Sequence, residues 1–203
     1  MSHADYYRGA ERAGEALARA GTDPSARARA VHAAIAPLLR DTEAAAASAC
    51  RKGCAHCCHF PVGVTFPEAM LLAAAVRAEG EGAAGFVTAS ARYAGSTWRA
   101  LVGRPCPFLR AGECAVHDVR PVPCRALASS DADACARGLG GRGAVPVDSE
   151  ALWRGLGATD VLGCGEAAGS RELRSAVSGI LGARCGEEAA AFLAAMPAGA
   201  DDD

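Results

Sequence analysis

Apolar and polar residues in the first part of this chain recur with a helical spacing rather than with the alternation typical of strands. The pattern predicts helices over about residues 4–20 and 24–48. Asp23 and Pro24 support the start of the second helix, because aspartate is a favoured N-cap and proline fits the first helical position. The chain is therefore expected to begin with two helices.

A second helical stretch is indicated by Thr65 to Glu68. These residues have the T-x-x-E form of a capping box, in which the Thr hydroxyl and the Glu carboxylate bond amides at a helix start. The box predicts a helix over 66–79, and another is expected from Phe86 to Val102. Glycines at 138–143 predict a flexible connection, followed by two or three short helices between Ser149 and Met196.

The centre of the chain breaks the helical pattern. Four prolines prevent a long regular helix there, because proline has no backbone N–H: Pro105, Pro107, Pro121 and Pro123. Pro61 to Val64 can add a short extended segment, and no repeat or clear series of strands is found. The predicted fold class is mainly α, a single helical domain with an irregular, proline-rich cysteine-cluster core.

One domain is expected, because 203 residues with 51% hydrophobic content suffice for one substantial core. Within that domain we distinguish N-terminal helices (1–48), a cysteine-cluster metal-binding region (50–135) and C-terminal helices (149–197). Residues 198–203, which end in three aspartates, are predicted to be a disordered tail.

Charge and hydropathy restrict the partners and the location. A net charge of −2 and a pI near 6.2 give no broad basic field, so binding to nucleic acid or to a membrane is not expected. No apolar run resembles a secretory signal or a membrane-spanning helix, and a cytoplasmic location is predicted. Cytoplasmic thiols are kept reduced, so ten cysteines point to metal ligation or redox chemistry rather than to structural disulfides.

Eight of the cysteines fall into two groups with the character of metal ligands. The first group has the spacing C-x3-C-x2-C-C, which lets several thiolates converge from one turn around the flexible Gly53. The second group spreads along the proline-rich loop, which can fold over the first group and complete a shared site. The candidate metal ligands are Cys50, Cys54, Cys57, Cys58, Cys106, Cys114, Cys124 and Cys135. Cys164 and Cys185 stand apart and are expected to be buried, reduced thiols.

Other polar residues near the two groups have alternative roles. His56 and His59 can ligate zinc or iron, or they can donate to a thiolate or face solvent. His32 is expected to be structural, and Asp131 and Asp133 are expected to cap a helix that contains Cys135. Four cations can balance thiolate charge or be ordinary surface residues: Arg51, Lys52, Arg120 and Arg125.

The ordered combination of these motifs resembles the YkgJ-type cysteine-cluster family, also described as a zinc- or iron-chelating domain. The resemblance covers roughly residues 50–135 and implies a cysteine cluster that holds iron-sulfur or zinc, with a poorly defined biological role. His117 stands where the family pattern has tyrosine, which leaves open whether His117 joins the ligands. Beyond Cys50 to Cys58, the resemblance rests on His59 to Val64, Pro67-Glu68-Ala69, Cys106 to Leu109, Gly112-Glu113-Cys114 and Arg120 to Arg125.

Spacing favours one kind of centre without deciding the question. A structural zinc needs four ligands, often from two C-x2-C pairs, and Cys54 with Cys57 is the one plain pair of this kind. Seven or eight converging cysteines exceed one tetrahedral site, which favours an iron-sulfur cluster over zinc. Cys57 and Cys58 are adjacent, so we expect them to differ in role or to bind different metal atoms.

Four functional hypotheses follow. The first is a noncatalytic metal or iron-sulfur protein that acts in sensing, storage, delivery or structure, with or without an unidentified protein partner. The second is a redox or protein-modifying enzyme component, since similar clusters accompany flagellin lysine methylases; no catalytic motif supports an independent enzyme. The third is a thiol switch, with a reversible disulfide between Cys54 and Cys57. The fourth, a zinc-based nucleic-acid module, disagrees with the neutral charge balance.

Overall fold

The computed structural model describes residues 3–80, 82–165, 167–183 and 186–196. Most of these residues are helical, which confirms the mainly α, single-domain prediction. The helices are α1 His3–Leu17, α2 Pro24–Arg40, α3 Glu43–Ala46, α4 Phe66–Ala78, α5 Gly82–Ala91, α6 Trp98–Leu101, α7 Val122–Ala126, α8 Ala132–Leu139, α9 Ser149–Leu162, α10 Leu173–Gly182 and α11 Gly186–Ala195. Two 3-10 turns, His56–His59 and His117–Val119, and four two-residue strands complete the described structure: β1 Gly63–Val64, β2 Leu109–Arg110, β3 Glu113–Cys114 and β4 Arg171–Glu172. The predicted tail at 198–203 lies outside the described residues.

One layer of the fold consists of α1, α2 and α9, which we call the helical frame. Its core is apolar, and Val31, Ile35 and Leu162 are each at most 1% exposed. α1 and α9 approach so closely that a Cβ at Gly157 would lie 2.0 Å from the carbonyl oxygen of Tyr6. Glycine is therefore required where these two helices cross.

A buried arginine links the three helices of the frame. The Arg154 guanidinium donates from Nε to Asp5 and from one terminal nitrogen to Glu150, both at 2.9 Å. Its other terminal nitrogen donates to the carbonyl oxygens of Leu38 at 2.8 Å and Asp41 at 2.9 Å. All three guanidinium nitrogens are thus hydrogen-bonded, as a charge in the interior requires.

The helix predicted over 24–48 is wrong in one respect, because the structure divides it into α2 and α3. α2 begins as predicted, with Asp23 as N-cap, but it ends at Arg40. Thr42 then starts α3 by accepting a bond from the amide of Ala45 at 2.9 Å. Arg154 takes up carbonyls at the end of α2 that have lost their helical partners. A residue that is remote in the sequence therefore bonds the chain at this break.

The helix predicted over 66–79 is confirmed as α4, whereas the helix predicted from Phe86 to Val102 is wrong, because it is divided into α5 and α6. Gly95 has a φ of 73°, a left-handed conformation that an α-helix does not continue. Thr97 starts α6 by accepting a bond from the amide of Ala100 at 3.3 Å. The short helices predicted between Ser149 and Met196 are α9, α10 and α11.

A second layer packs α4, α5, α10 and α11 around a separate apolar core. β1 pairs with β4 in an antiparallel arrangement that places Val64 opposite Arg171, which confirms the extended segment predicted at Pro61 to Val64. Phe108 and Val116 of the proline-rich loop insert into the same core. Apolar side chains thus anchor the loop that carries the second cysteine group.

The proline-rich segment contains more regular structure than its prolines suggest. β2 and β3 form an antiparallel hairpin through Ala111 and Gly112, whose φ angles of 49° and 81° suit a tight turn. α7 begins at Val122 with Pro123 in its first turn, where a missing N–H costs no helical bond. None of the helices in the described parts of the chain is long and apolar enough to cross a membrane.

Candidate metal centre

The first cysteine group lies on a tight loop between α3 and β1. Gly53 has a φ of 83°, and the amide of Cys54 donates to the carbonyl of Arg51 at 2.9 Å. Cys57 and Cys58 follow side by side in the 3-10 turn His56–His59. The C-x-x-C pair therefore ends in a 3-10 turn. In thiol oxidoreductases this motif usually lies at the start of a longer helix that follows a strand.

The proline-rich loop folds onto this turn. The amide of Cys106 donates to the carbonyl of Cys58 at 2.7 Å, and the amide of Gly103 donates to the carbonyl of His59 at 2.7 Å. These two bonds hold Cys106 beside the adjacent cysteines. The structure thus brings together parts of both cysteine groups, although they are far apart in the sequence.

Five thiols interact electrostatically and form what we call the five-thiol cluster: Cys57, Cys58, Cys106, Cys114 and Cys124. Burial raises the pKa of the Cys106 thiol to about 11. Burial, together with the charge of neighbouring thiolates, also raises the pKa of Cys114 and Cys124. These three thiols are therefore protonated at neutral pH when no metal competes with the protons.

Cys57 and Cys58 share a hydrogen bond and differ in protonation. The bond from the Cys58 thiol, assisted by the charge of Arg120, lowers the pKa of Cys57 to about 6. The same hydrogen bond, together with burial, raises the pKa of Cys58. A thiolate and a thiol therefore lie side by side at neutral pH, which makes Cys57 the readier ligand for an incoming metal.

The other three candidate ligands lie around the same turn. Cys50 is exposed, and its Sγ lies 3.9 Å from the carbonyl oxygen of Ser129. Cys135 lies on α8, which packs against the turn His56–His59 and has Asp131 as its predicted N-cap.

A buried carboxylate fixes the helix that carries Cys124. Glu68 is 0% exposed, and its Oε1 accepts from the amide of Val122, the first residue of α7, at 2.6 Å. Its Oε2 accepts from the amide and the hydroxyl of Thr65 at 3.0 and 2.9 Å, within the predicted capping box. His32 Nε2 lies 3.4 Å from Oε1, which gives His32 the structural role expected of it.

Glu68 remains charged in this setting. Burial alone would raise the pKa of its carboxyl, but the contact with His32 and the amides of Thr65 and Val122 outweigh burial and lower that pKa. One ionised group thus joins α2, α4 and α7 beside the thiols. The capping box was visible in the sequence, whereas the link from Glu68 to Val122 was not.

Two of the four predicted cations lie at the cluster. Arg120 lowers the pKa of Cys57, after the hydrogen bond from Cys58, and it also acts on Cys114 and Cys124. Arg125 donates from Nε to the carbonyl of Arg120 at 2.7 Å, and its charge interacts with Cys124. Both arginines are therefore placed to balance thiolate charge.

The other two predicted cations are surface residues. The Lys52 side chain is 84% exposed and pairs with Glu113 at 3.4 Å. Arg51 is exposed, and its guanidinium lies 3.5 Å from the carbonyl oxygen of Ala49. For these two residues the alternative interpretation, an ordinary surface cation, describes the structure.

Two arginines at the cluster have a spare hydrogen-bond donor. Among the described residues, four buried side-chain nitrogen or oxygen atoms lack a partner, and two of the four are the Nε atoms of Arg120 and Arg174. Arg174 lies in α10, and its charge acts on Cys106. Buried donors are rarely left unpaired, so this pair of N–H groups fits a site that holds negative charge. No local sequence pattern marked Arg174.

The histidines differ in their surroundings. His59 Nδ1 lies 3.1 Å from the carbonyl oxygen of Ala55, and His56 is the first residue of the same 3-10 turn. The His117 side chain is 63% exposed and lies 3.8 Å from a carboxylate oxygen of Asp118. His117 also lines an open cavity of about 200 Å³, together with Cys114.

The predicted burial of the two isolated cysteines, Cys164 and Cys185, is tested by the structure only for Cys164. Cys164 is exposed and donates to the carbonyl of Asp160 at 3.2 Å, so the expectation that it is buried was wrong. It follows the end of α9, where a carbonyl without a helical partner can accept the thiol. Cys185 lies outside the described residues, and its predicted burial stays a prediction.

Residues 49–139 match the model of the CxxCxxCC family, described as "Putative zinc- or iron-chelating domain". YkgJ-type is another name for this family, so the resemblance is confirmed for this segment of the chain. The match covers somewhat less than half of the chain and leaves out the helical frame, α10 and α11. No curated protein and no solved structure matches the chain.

The chemical types of the residues at this site suit metal chelation, but their side chains are not already arranged around a metal position. Thiolates are the ligands of structural zinc and of iron-sulfur clusters, and five thiols interact here beside two guanidinium groups with spare donors. However, within the described residues no three His, Cys, Asp or Glu side chains are arranged to hold a metal ion. Ligation therefore requires the thiols to lose protons and reorient.

Proposed function

We propose that this protein binds a metal centre, an iron-sulfur cluster in preference to zinc, at the five-thiol cluster. Cys50, Cys54 and Cys135 remain candidate ligands beside it. The observation that carries the proposal is that the fold holds the two cysteine groups together, because the amide of Cys106 donates to the carbonyl of Cys58 at 2.7 Å. The thiols of Cys114 and Cys124 lie near enough to this contact to interact electrostatically with it. Cysteines buried merely as small apolar side chains have no reason to gather in this way.

Two features favour iron-sulfur over zinc. Five neighbouring thiols exceed the four ligands of one tetrahedral zinc. The spare Nε–H groups of Arg120 and Arg174 can also donate to the sulfur of a negatively charged centre, as hydrogen bonds to sulfur do in iron-sulfur proteins. An iron-sulfur cluster supplies one-electron redox chemistry when bound, whereas zinc supplies a structural cross-link.

The residues themselves have three tasks in this proposal. The thiols give up their protons to bind, Arg120 and Arg125 balance the resulting negative charge, and Glu68 keeps the helix of Cys124 in place. None of these tasks requires a substrate. We therefore favour a noncatalytic role in sensing, storage, delivery or structure over an enzymatic one.

The test is purification without oxygen, followed by measurement of iron, zinc, copper and acid-labile sulfide per chain. We expect iron with a matching amount of sulfide. Stoichiometric zinc without sulfide would support metal binding at this site but would show that the centre is zinc rather than an iron-sulfur cluster. A chain that holds no metal and forms a Cys54–Cys57 disulfide with oxidant would contradict the proposal in favour of the thiol switch.

A further inference from the structure

Arg174 is a buried arginine outside the segment that matches the family. It lies in the first turn of α10, and its side chain is 4% exposed. One terminal nitrogen donates to Glu172 at 2.8 Å, and the other donates to the carbonyls of Arg104 at 3.1 Å and Pro105 at 3.0 Å. The guanidinium carbon also lies 5.5 Å from the centre of the Tyr93 ring.

The two carbonyls place this guanidinium at the cluster. Arg104 and Pro105 directly precede Cys106, whose amide in turn bonds the carbonyl of Cys58. Arg174 therefore holds the backbone on one side of Cys106, while the cysteine turn holds it on the other. The charge of Arg174 also favours the thiolate form of Cys106, although burial dominates and keeps that pKa raised.

The Nε of Arg174 is the part that the fold leaves unused. It is buried and has no hydrogen-bond partner among the described residues, whereas both terminal nitrogens are bonded. A purely structural arginine gains nothing from an unpaired buried donor, which carries a desolvation penalty. A donor that meets negative charge when Cys106 binds metal regains the lost interaction.

Arg171, three residues earlier, shows what a structural arginine looks like in the same region. It is 7% exposed, and its Nε donates to the carbonyl of Leu193 at 3.0 Å. Its terminal nitrogen donates to the carbonyls of Ala168 and Ser170, both at 3.1 Å. Arg171 resembles Arg174 in burial but has a bonded Nε, and its hydrogen-bond partners are not next to a cysteine of the cluster.

We infer that Arg174 is a positioning and charge-balancing residue of the metal centre, which fixes Cys106 and offers its Nε–H to the sulfur ligands. This inference rests on the proposed function. It assigns to α10, outside the chelating domain, a direct part in the affinity and electronic character of the centre. Residues that orient metal ligands typically change affinity by about 10- to 100-fold when they are replaced.

The test compares Arg174→Met and Arg174→Lys with Arg171→Met and Arg171→Lys in the full chain. Metal affinity is measured by competition with a chromophoric chelator, and the sulfur-to-metal charge-transfer spectrum is recorded for each variant. We expect Arg174→Met to weaken metal binding about 10- to 100-fold. Arg174→Lys should lie between Arg174→Met and the wild type and shift the spectrum, while both Arg171 variants keep the wild-type spectrum and affinity.

Unchanged affinity and spectrum in Arg174→Lys and Arg174→Met would overturn the inference. Equal losses in the Arg171 variants would also overturn it, since they would show a general effect of burial. If Arg174→Met does not fold, the comparison of Arg174→Lys with Arg171→Lys tests the inference. Both lysine variants keep the positive charge and lose the planar guanidinium group. A wild-type chain without any metal would refute the proposed function itself. If the wild-type chain does contain metal, unchanged binding in the Arg174 variants refutes only the inference about Arg174.

Discussion

Two buried arginines differ in how fully their guanidinium groups are hydrogen-bonded, one in the helical frame and one beside the cysteine region. Here the cysteine region means residues 49–64 and 103–126. In the frame, Arg154 has all three guanidinium nitrogens bonded to groups of the chain. Beside the cysteine region, Arg174 bonds with two nitrogens and leaves Nε without a partner among the described residues. The frame satisfies its own charges, whereas the cysteine region leaves a donor spare for negative charge.

The two regions also differ in what holds them together. The frame has long helices and an apolar core, in which Val31 and Ile35 are almost fully buried. The cysteine region has 3-10 turns, a short hairpin and α7, and its two segments are joined by backbone bonds such as that from Cys106 to Cys58. Stability is therefore expected to be uneven, with the cysteine region less stable than the frame and stabilised further by metal binding.

The largest effect is expected from metal removal. Structural zinc in small domains contributes on the order of 10 kcal/mol of binding free energy, which is also folding free energy. We expect chelation to increase amide hydrogen exchange strongly in residues 49–64 and 103–126, while α1, α2 and α9 keep their protection. Equal loss of protection in all five segments would show that the frame depends on the metal as well.

The frame can be weakened separately by Arg154→Met. This change leaves the largely buried Asp5 with the more distant Arg8, at 3.8 Å, as its ionic partner and frees the carbonyls of Leu38 and Asp41, at a cost of about 3–5 kcal/mol. We expect a lower free energy of unfolding in urea with unchanged metal content per chain. The exposed pair Lys52 and Glu113 gives the control, because Lys52→Met should change stability by less than about 1 kcal/mol.

Glu68→Gln addresses the junction between the two regions. An amide cannot accept on both sides, so either the Val122 amide or the Thr65 amide loses its acceptor, at a cost of roughly 2–3 kcal/mol. Because Val122 begins the helix of Cys124, metal affinity should fall together with stability. In the matched control, Glu79→Gln, an exposed contact with Arg110 is lost and both quantities should stay near wild type. A Glu68→Gln protein with wild-type stability and wild-type metal affinity would show that Glu68 does not support the metal site.

The smallest effect is a pH dependence of the metal-free form. The folded-state pKa of Cys106 is about 11, against an ordinary value of 9.0, so the unfolded chain releases this proton first. The contribution of Cys106 to stability is therefore complete below pH 9 and is lost as pH rises toward 11, at a cost of roughly 2–3 kcal/mol. Cys57, with a folded-state pKa of about 6, acts in the opposite direction, because its contribution to stability is lost as pH falls from 9 toward 6. Cys58, Cys114 and Cys124, whose pKa values are also raised, add to the decline above pH 9. Cys106→Ser should make the decline in unfolding free energy above pH 9 less steep, and an equally steep decline in that variant would contradict the assignment.

Local rules in the sequence predicted the parts of the fold that depend on neighbouring residues. Asp23 and Asp131 cap helices as expected, and the capping box at Thr65 begins α4. The proline-rich loop approaches the first cysteine group, as its cysteines suggested, because Phe108 and Val116 anchor it in a core.

Features that depend on distant partners were not predictable in this way. Arg154 bonds carbonyls at the break between α2 and α3, and the exposed thiol of Cys164 bonds a carbonyl in the last turn of α9. Arg174 has no distinguishing pattern around it, because its relation to Cys106 arises only when α10 packs against the loop. Candidate ligands can thus be read from cysteine spacing, whereas the residues that tune them require the tertiary structure.

The central claim, that the two cysteine groups share one metal centre, is tested most directly by metal content per chain in Cys124→Ser and Cys164→Ser. Both variants are purified without oxygen beside the wild type. We predict that Cys124→Ser loses most of its metal, because a ligand of the five-thiol cluster is removed, while Cys164→Ser keeps the wild-type amount. Full metal occupancy in Cys124→Ser, with the wild-type charge-transfer spectrum, would contradict the claim.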